Sequence, residues 1–178
     1  PLKESEVPMP TSPYAASKAS CELYLHSFYD SYGLNYTSLR YFNVFGPKQD
    51  KNSQYAAVIP NFISALLEGE QPIIYGDGEQ TRSFCYVSDQ VEGIFKVLHS
   101  DCTTPINIGN DEEITLNQLG KEIIEITNAK SKLIYQPLPT EDPKQRRPDI
   151  TKAKQILDWE PKVSRTDGLT KTIAYYQS

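Results

Sequence analysis

The chain has 178 residues, of which 38% are hydrophobic and 23% charged, with a net charge of −5; these are the proportions of an ordinary folded chain long enough to bury a core. Its 18 lysines and arginines are dispersed among 23 acidic residues, which argues against the basic face of a nucleic-acid groove or of an anionic membrane surface. Three cysteines without metal-like spacing (Cys21, Cys85, Cys102) and the lack of a signal peptide or bilayer-length apolar run predict reduced thiols in a cytoplasmic protein with no metal centre and no membrane partner.

In chain order, Ser12 can cap a helix, and Pro13 suits the first helical position because its missing N–H has no partner there anyway. A helix is predicted over 13–32, with Gly33 as its stop. Tyr14 and Lys18 are four apart on it and share a face. An ammonium beside a phenol favours the phenolate, drawing the tyrosine down from its ordinary pKa of about 10. Spacing alone favours plain helix surface for such a pair; a proton-transfer role needs support from the neighbouring sequence. His26 and His99 fall on helical segments without a partner motif and read as structural.

A strand is predicted around 36–40, and helix followed by strand is the return step of a parallel sheet. A helix follows over 55–67, then a strand over 72–75 closed by the turn Gly76-Asp77-Gly78. Ser88 is assigned as the cap of a helix reaching 98. Thr115 and Gln118 make a capping box before a helix over 116–127, in which Leu116, Leu119, Ile123 and Ile126 recur at helical spacing as core. A strand over 133–135, a Pro-rich loop over 137–148 and a last helix after Ser164, with Leu169, Ile173 and Tyr176 on one face, complete the chain. There is no internal repeat.

Three ordered stretches carry more information than any one element. They are Ser12-Pro13-Tyr14-Ala15-Ala16-Ser17-Lys18, Leu39-Arg40-Tyr41-Phe42-Asn43-Val44-Phe45-Gly46-Pro47, and the run from Tyr75 through Arg82 to Asp89. With Ile106-Asn107-Ile108-Gly109-Asn110 and Leu157-Asp158-Trp159-Glu160-Pro161, they resemble the extended short-chain dehydrogenase/reductase family, and within it the nucleotide-sugar epimerases, dehydratases and decarboxylases. The resemblance covers nearly all of the chain. It implies an α/β fold: later strands and helices of a Rossmann-like doubly wound sheet, plus a smaller α/β C-terminal substrate-binding region. Family members open with a Gly-rich pyrophosphate-binding turn. This chain has none, begins at Pro1 and has Met9 as its only methionine, so the N-terminal Gly-rich half is expected to be missing. Residues 1–50 are assigned to the NAD-binding domain and 51–178 mostly to the nucleotide-sugar-binding region, with the chain crossing back.

Carried over position by position, the resemblance makes Tyr14 the acid/base and Lys18 its partner, which also holds the nicotinamide ribose of NAD. Tyr41 and Phe42 face the nicotinamide through their backbone, and Asn43 bonds the sugar diphosphate; the plainer reading of Asn43 is a turn residue after a strand. The segment Ala57-Val58-Ile59-Pro60-Asn61, in which Val58 and Pro60 are the candidate site residues, lies where the family touches the nucleotide base, largely through backbone groups. Arg82 matches a diphosphate arginine, suited by its two-pronged donor geometry, although a bare loop arginine is more often solvated. Asp89 is explained by the helix dipole and is not a site residue.

The stretch from Asn43 to Pro60 looks most like UDP-hexose 4-epimerases. The stretch from Glu141 to Asp149 departs from them, and its Arg146-Arg147-Pro148-Asp149 is similar to the UDP-glucuronate decarboxylases. Arg146 either pairs with a C6 carboxylate, or it or Arg147 supplies a phosphate-binding arginine. The leading expectation is a fragment of a NAD-dependent UDP-sugar 4-epimerase. The alternatives are a UDP-glucuronate decarboxylase or nucleotide-sugar 4,6-dehydratase, and, in another class, a non-catalytic nucleotide-sugar-binding fragment. The family also implies a homodimer through the helices starting near Pro13 and Tyr55, with Leu23, Leu25 and Phe28 either in that contact or in the core.

Overall fold

The computed structural model describes residues 1–50, 57–137 and 145–178. In chain order these form α1 (Pro13–Tyr32), β1 (Leu39–Tyr41), β2 (Val44–Phe45), α2 (Val58–Leu67), β3 (Ile73–Tyr75), β4 (Thr81–Ser83), β5 (Cys85–Tyr86), α3 (Val87–Leu98), β6 (Ile106–Ile108), β7 (Glu113–Thr115), α4 (Leu116–Thr127), β8 (Ile134–Gln136), β9 (Gln145–Arg146), α5 (Thr151–Leu157) and α6 (Arg165–Gln177).

Local hydrogen bonding sets the ends of α1. Ser12 Oγ accepts from the Ala15 N–H at 3.2 Å, and Gly33, at φ 68°, donates its N–H to the Tyr29 carbonyl. Glycine suits that left-handed stop because it has no Cβ to clash. No residue of α1 is buried. Leu23 and Phe28 are exposed and Leu25 is only half-buried, so these three are not core. The Tyr29 ring of α1 meets Tyr36 edge-on with centroids 6.3 Å apart, and a two-pronged ion pair ties the helix to β1: Arg40 donates Nε and Nη2 to the two Glu22 carboxylate oxygens, each at 2.8 Å. That bond raises the Arg40 pKa, while burial opposes it.

The core lies elsewhere. Phe62 and Ile63 of α2, Leu119 and Ile123 of α4, and Leu169 and Ile173 of α6 pack with Phe45, Ile74 and Phe84 into one buried cluster. A smaller cluster sets Trp159 and Leu157 against Ile106 and Ile108 of β6. A Cβ on Gly93 of α3 would stand 2.7 Å from Ile108 Cγ2 and 3.2 Å from Trp159 Cε2, so only glycine allows α3 to approach this closely.

Three strand pairs are parallel: β1 with β6 (Leu39↔Ile106), β2 with β5 (Val44↔Cys85) and β3 with β8 (Ile73↔Ile134). A three-stranded sheet places β4 between β7, antiparallel to it, and β9, parallel to it. Parallel strands joined through helices are the expected α/β architecture.

Several boundaries differ from expectation. α3 starts at Val87 with Tyr86 as its cap residue, not Ser88, because β5 runs directly into the helix. Asp89 does more than answer the helix dipole: its carboxylate accepts the backbone N–H groups of Lys162 and Val163 at 3.0 and 2.9 Å, and its carbonyl accepts from Trp159 Nε1 at 3.1 Å. The segment read as a loop over 137–148 contains β9; residues 138–144 lie outside the described residues, as do 55 and 56 at the expected start of α2. The capping box of α4 and the Ser164 cap of α6 form as expected. Among the described residues, no helix is long and apolar enough to cross a membrane.

Candidate functional site

A cavity of about 400 Å³ opens between α2, β3, β4, the start of α4 and β9. Its lining includes Asn43, Val58, Asn61, Phe62, Tyr75, Gln80, Arg82 and Arg146. Register explains the two arginines. β4 and β9 pair in parallel with Arg82 directly beside Arg146, so both side chains leave the same face of the sheet. Arg82 is 8% exposed and donates from Nη1 to the Thr81 carbonyl at 2.7 Å, whereas Arg146 is exposed at the mouth. Two guanidinium groups on one cavity wall suit a doubly charged anion such as a diphosphate.

Asn43 sits at φ 37°, a left-handed conformation that asparagine adopts more readily than most residues. Its Nδ2 donates to the Ser83 carbonyl at 2.9 Å and its own carbonyl accepts from Cys85 N–H, joining the end of β1 to the approach of β5. Its backbone thus links β1 to β2, and one of its two amide protons is committed within the chain. Val58, Pro60, Asn61 and Arg147 divide between the cavity and other surroundings. Val58 and Asn61 line the cavity from α2, one turn apart, while Pro60 is buried on another side of the helix and is not in the lining. A helix turns about 100° per residue, so neighbours at i and i+3 face together and i+2 faces away. Arg147 likewise leaves the cavity: its Nη1 lies 3.8 Å from Glu113 Oε2, and its carbonyl accepts from Leu2 N–H. Of the two arginines offered for a phosphate, only Arg146 reaches the cavity.

Tyr14 and Lys18 form a second group. The Lys18 ammonium stands 5.6 Å from the centroid of the Tyr14 ring, and both side chains are exposed, Tyr14 at 63%. Neither lines the cavity. Tyr41 is exposed at the end of β1, and Phe42 packs on Gly109, where a Cβ would meet Phe42 Cβ at 2.9 Å; these two also lie off the cavity lining. Sequence reading missed Gln80, and it named Asn61 only as part of the segment 57–61 without singling out its side chain. Strand alternation from Arg82 signals the first, since residue i−2 shares its face, and helical spacing from Val58 signals the second.

Cys21 is exposed, Cys85 buried and Cys102 half-buried, all three free. Burial, with the nearby Asp89 charge, pushes the Cys85 thiol up to about 12.

Residues 1–172 match the family described as GDP-mannose 4,6 dehydratase. The chain belongs to this family. The resemblance to nucleotide-sugar epimerases and dehydratases stands. Among family relatives, UDP-glucuronic acid decarboxylase 5 of Arabidopsis thaliana is 40% identical over 156 residues, which cover 88% of this chain and 45% of that protein. The structure of a UDP-N-acetylglucosamine 4-epimerase from Methanobrevibacter ruminantium M1, in complex with UDP-N-acetylmuramic acid, is similar with a TM-score of 0.95 and 46% identity, covering 99% of this chain and 57% of that one. The UDP-glucuronic acid 4-epimerase from Bacillus cereus, in complex with UDP-glucuronic acid and NAD, follows with a TM-score of 0.91 and 30% identity, covering 99% of this chain and 56% of that one. The chain therefore spans about half the length of these family members.

Proposed function

We propose that this chain is the nucleotide-sugar-binding and proton-transfer portion of a NAD-dependent UDP-sugar 4-epimerase. The observation that carries the reading is the in-register pair Arg82 and Arg146 on one wall of the cavity. Arg82 and Arg146 hold the diphosphate, with the second Asn43 amide proton as a further donor. Val58, Asn61 and Phe62 of α2 close the nucleoside end and exclude water from it. On α1, Tyr14 takes and returns the proton of the sugar 4-hydroxyl, and Lys18 holds that phenol beside a positive charge.

The exposed Tyr14 and Lys18 pair fits a dinucleotide laid across α1: an ammonium and a phenol side by side are donors for a ribose diol, with the backbone around Tyr41 and Phe42 flanking the nicotinamide. When bound, NAD supplies the hydride acceptor and donor, and the rest of its grip belongs to the part of the family members that this chain does not span. In this reading residues 1–50 carry the cofactor side and 51–178 mostly the nucleotide-sugar side. The exposed Leu23, Tyr24 and Phe28 on α1 support a homodimer contact through α1 and α2, in a cytoplasmic setting that keeps Cys21 reduced.

One observation favours a second reading. Arg146 stands exposed at the cavity mouth, where a guanidinium can take a C6 carboxylate in two-pronged fashion, and decarboxylases are among the relatives. The protein at its encoded length, incubated separately with UDP-glucose, UDP-N-acetylglucosamine and UDP-glucuronate, distinguishes the two by product NMR. Inverted C4 at unchanged mass establishes the epimerase. A UDP-pentose with carbon dioxide establishes the decarboxylase, and no product with any of the three leaves neither standing.

A further inference from the structure

The turn after β2 is built around one side chain. Gln49 Nε2 donates to the Val44 carbonyl at 3.1 Å, and its Oε1 accepts from the Gly46 N–H at 3.4 Å. A carbonyl only accepts and an N–H only donates, so these two bonds fix both ends of the amide. The backbone inside this clasp is constrained: Lys48 stands at φ 66°, a left-handed conformation, and a Cβ on Gly46 would lie 2.5 Å from Val87 Cγ1. Such positions persist only where the surroundings over-determine them. The outside support comes from α6, 127 residues along the chain, where the Tyr176 hydroxyl donates to the Gln49 carbonyl at 2.6 Å. The Tyr176 ring packs against the main core cluster, which holds that donor in place.

The bonds lead back to the cavity. Val44, clasped by Gln49, pairs with Cys85 and directly follows Asn43. Asn43 lines the cavity at φ 37°, with one amide proton on the Ser83 carbonyl. We propose that Tyr176 is a positioning residue: through Gln49 and Val44 its hydroxyl fixes the backbone that aims the second Asn43 amide proton into the cavity. The proposal rests on that proton serving the diphosphate of a nucleotide sugar. It makes the far end of the last helix set the affinity of a site whose lining does not include it.

Calorimetry of UDP with the protein at its encoded length tests this. Tyr176→Phe removes the hydroxyl and keeps the ring, and it should weaken UDP binding about threefold to tenfold, the worth of one neutral hydrogen bond. Asn43→Gly keeps the left-handed backbone without the amide, and in that background Tyr176→Phe should change affinity by less than about twofold. Thr172→Val removes another buried α6 hydroxyl, one bonded to the Gly168 carbonyl at 2.7 Å, and should leave UDP affinity unchanged. Unchanged affinity in Tyr176→Phe overturns the proposal. So does an equal loss in Thr172→Val, which would make any weakening of α6 sufficient, and so does an undiminished Tyr176→Phe loss beside Asn43→Gly. Asn43→Ala serves the same cycle if the glycine variant does not fold. No UDP binding by the unaltered protein, or full affinity in Asn43→Gly, overturns instead the diphosphate reading beneath the proposal, and the proposal with it.

Discussion

Helix α1 and the cavity wall formed by α2, β4 and β9 carry the two halves of the proposed chemistry, and they are stabilised in opposite ways. α1 has twenty residues and buries none of them; its ends are set by Ser12 and Gly33, and Arg40 ties it to β1 through Glu22. The cavity wall is backed by Ile59, Phe62, Ile63, Leu119 and Ile123. In the proposed reading, proton transfer sits on a helix that buries none of its residues, while ligand recognition sits on a packed core. Affinity for the nucleotide and competence for proton transfer should be separable by mutation.

Exposed Cys21 on α1 and Cys85 on β5, buried with Ile106 and Trp159, give the largest expected contrast. At pH 8 Cys21 should react with iodoacetamide more than a thousandfold faster than Cys85, whose pKa of about 12 leaves only about one thiolate in ten thousand before steric protection is counted. Peptide mass mapping over time checks it; equal labelling would place Cys85 outside the core. Because the Cys85 pKa is raised above its ordinary 9.0, its stabilising contribution is complete below that value and is lost as pH rises toward about 12, where only the unfolded chain ionises readily.

Tyr14→Phe comes next. It should lower turnover of the protein at its encoded length by about 10²–10⁴-fold, the usual worth of a positioned acid/base group, with little change in KM. Retained turnover would remove Tyr14 from the chemistry. In the core, Leu119→Ala should cost about 2–5 kcal/mol of folding stability, read from urea unfolding of the chain. Its counterpart on α1, Leu23→Ala, should shift stability by less than about 0.5 kcal/mol, and a large loss there would mean that α1 is covered.

How much of this could be read beforehand follows from which interactions are local. Ser12 with Gly33, Thr115 with Gln118, and Ser164 announce helix ends through bonds spanning three or four residues, and those helices were legible. Strands such as β2, β5 and β9 are two residues long, too short for alternation to register, and depend on partners far along the chain. Ser88 failed as a cap because the signal is the same whether a loop or a strand precedes the helix. Motif order singled out Asn43, Arg82 and Arg146, which line the cavity, and Tyr14 and Lys18, which do not. Pro60 was not separable from Asn61 without the helix phase, Arg147 from Arg146 without the strand face, nor Gln80 without the Tyr75 carbonyl that turns its amide. Glu22 pairs with Arg40 across 18 residues, a contact no local pattern encodes.

The separation of binding from proton transfer is tested most directly by calorimetry of UDP with the unaltered chain and with its Arg82→Ala and Tyr14→Phe variants. Loss of the charged hydrogen bonds of Arg82 should weaken UDP binding by about 10–150-fold, while Tyr14→Phe should bind UDP as the unaltered chain does. Unchanged affinity in Arg82→Ala, or equal losses in both variants, would contradict the assignment of the cavity between α2 and β4 as the nucleotide site.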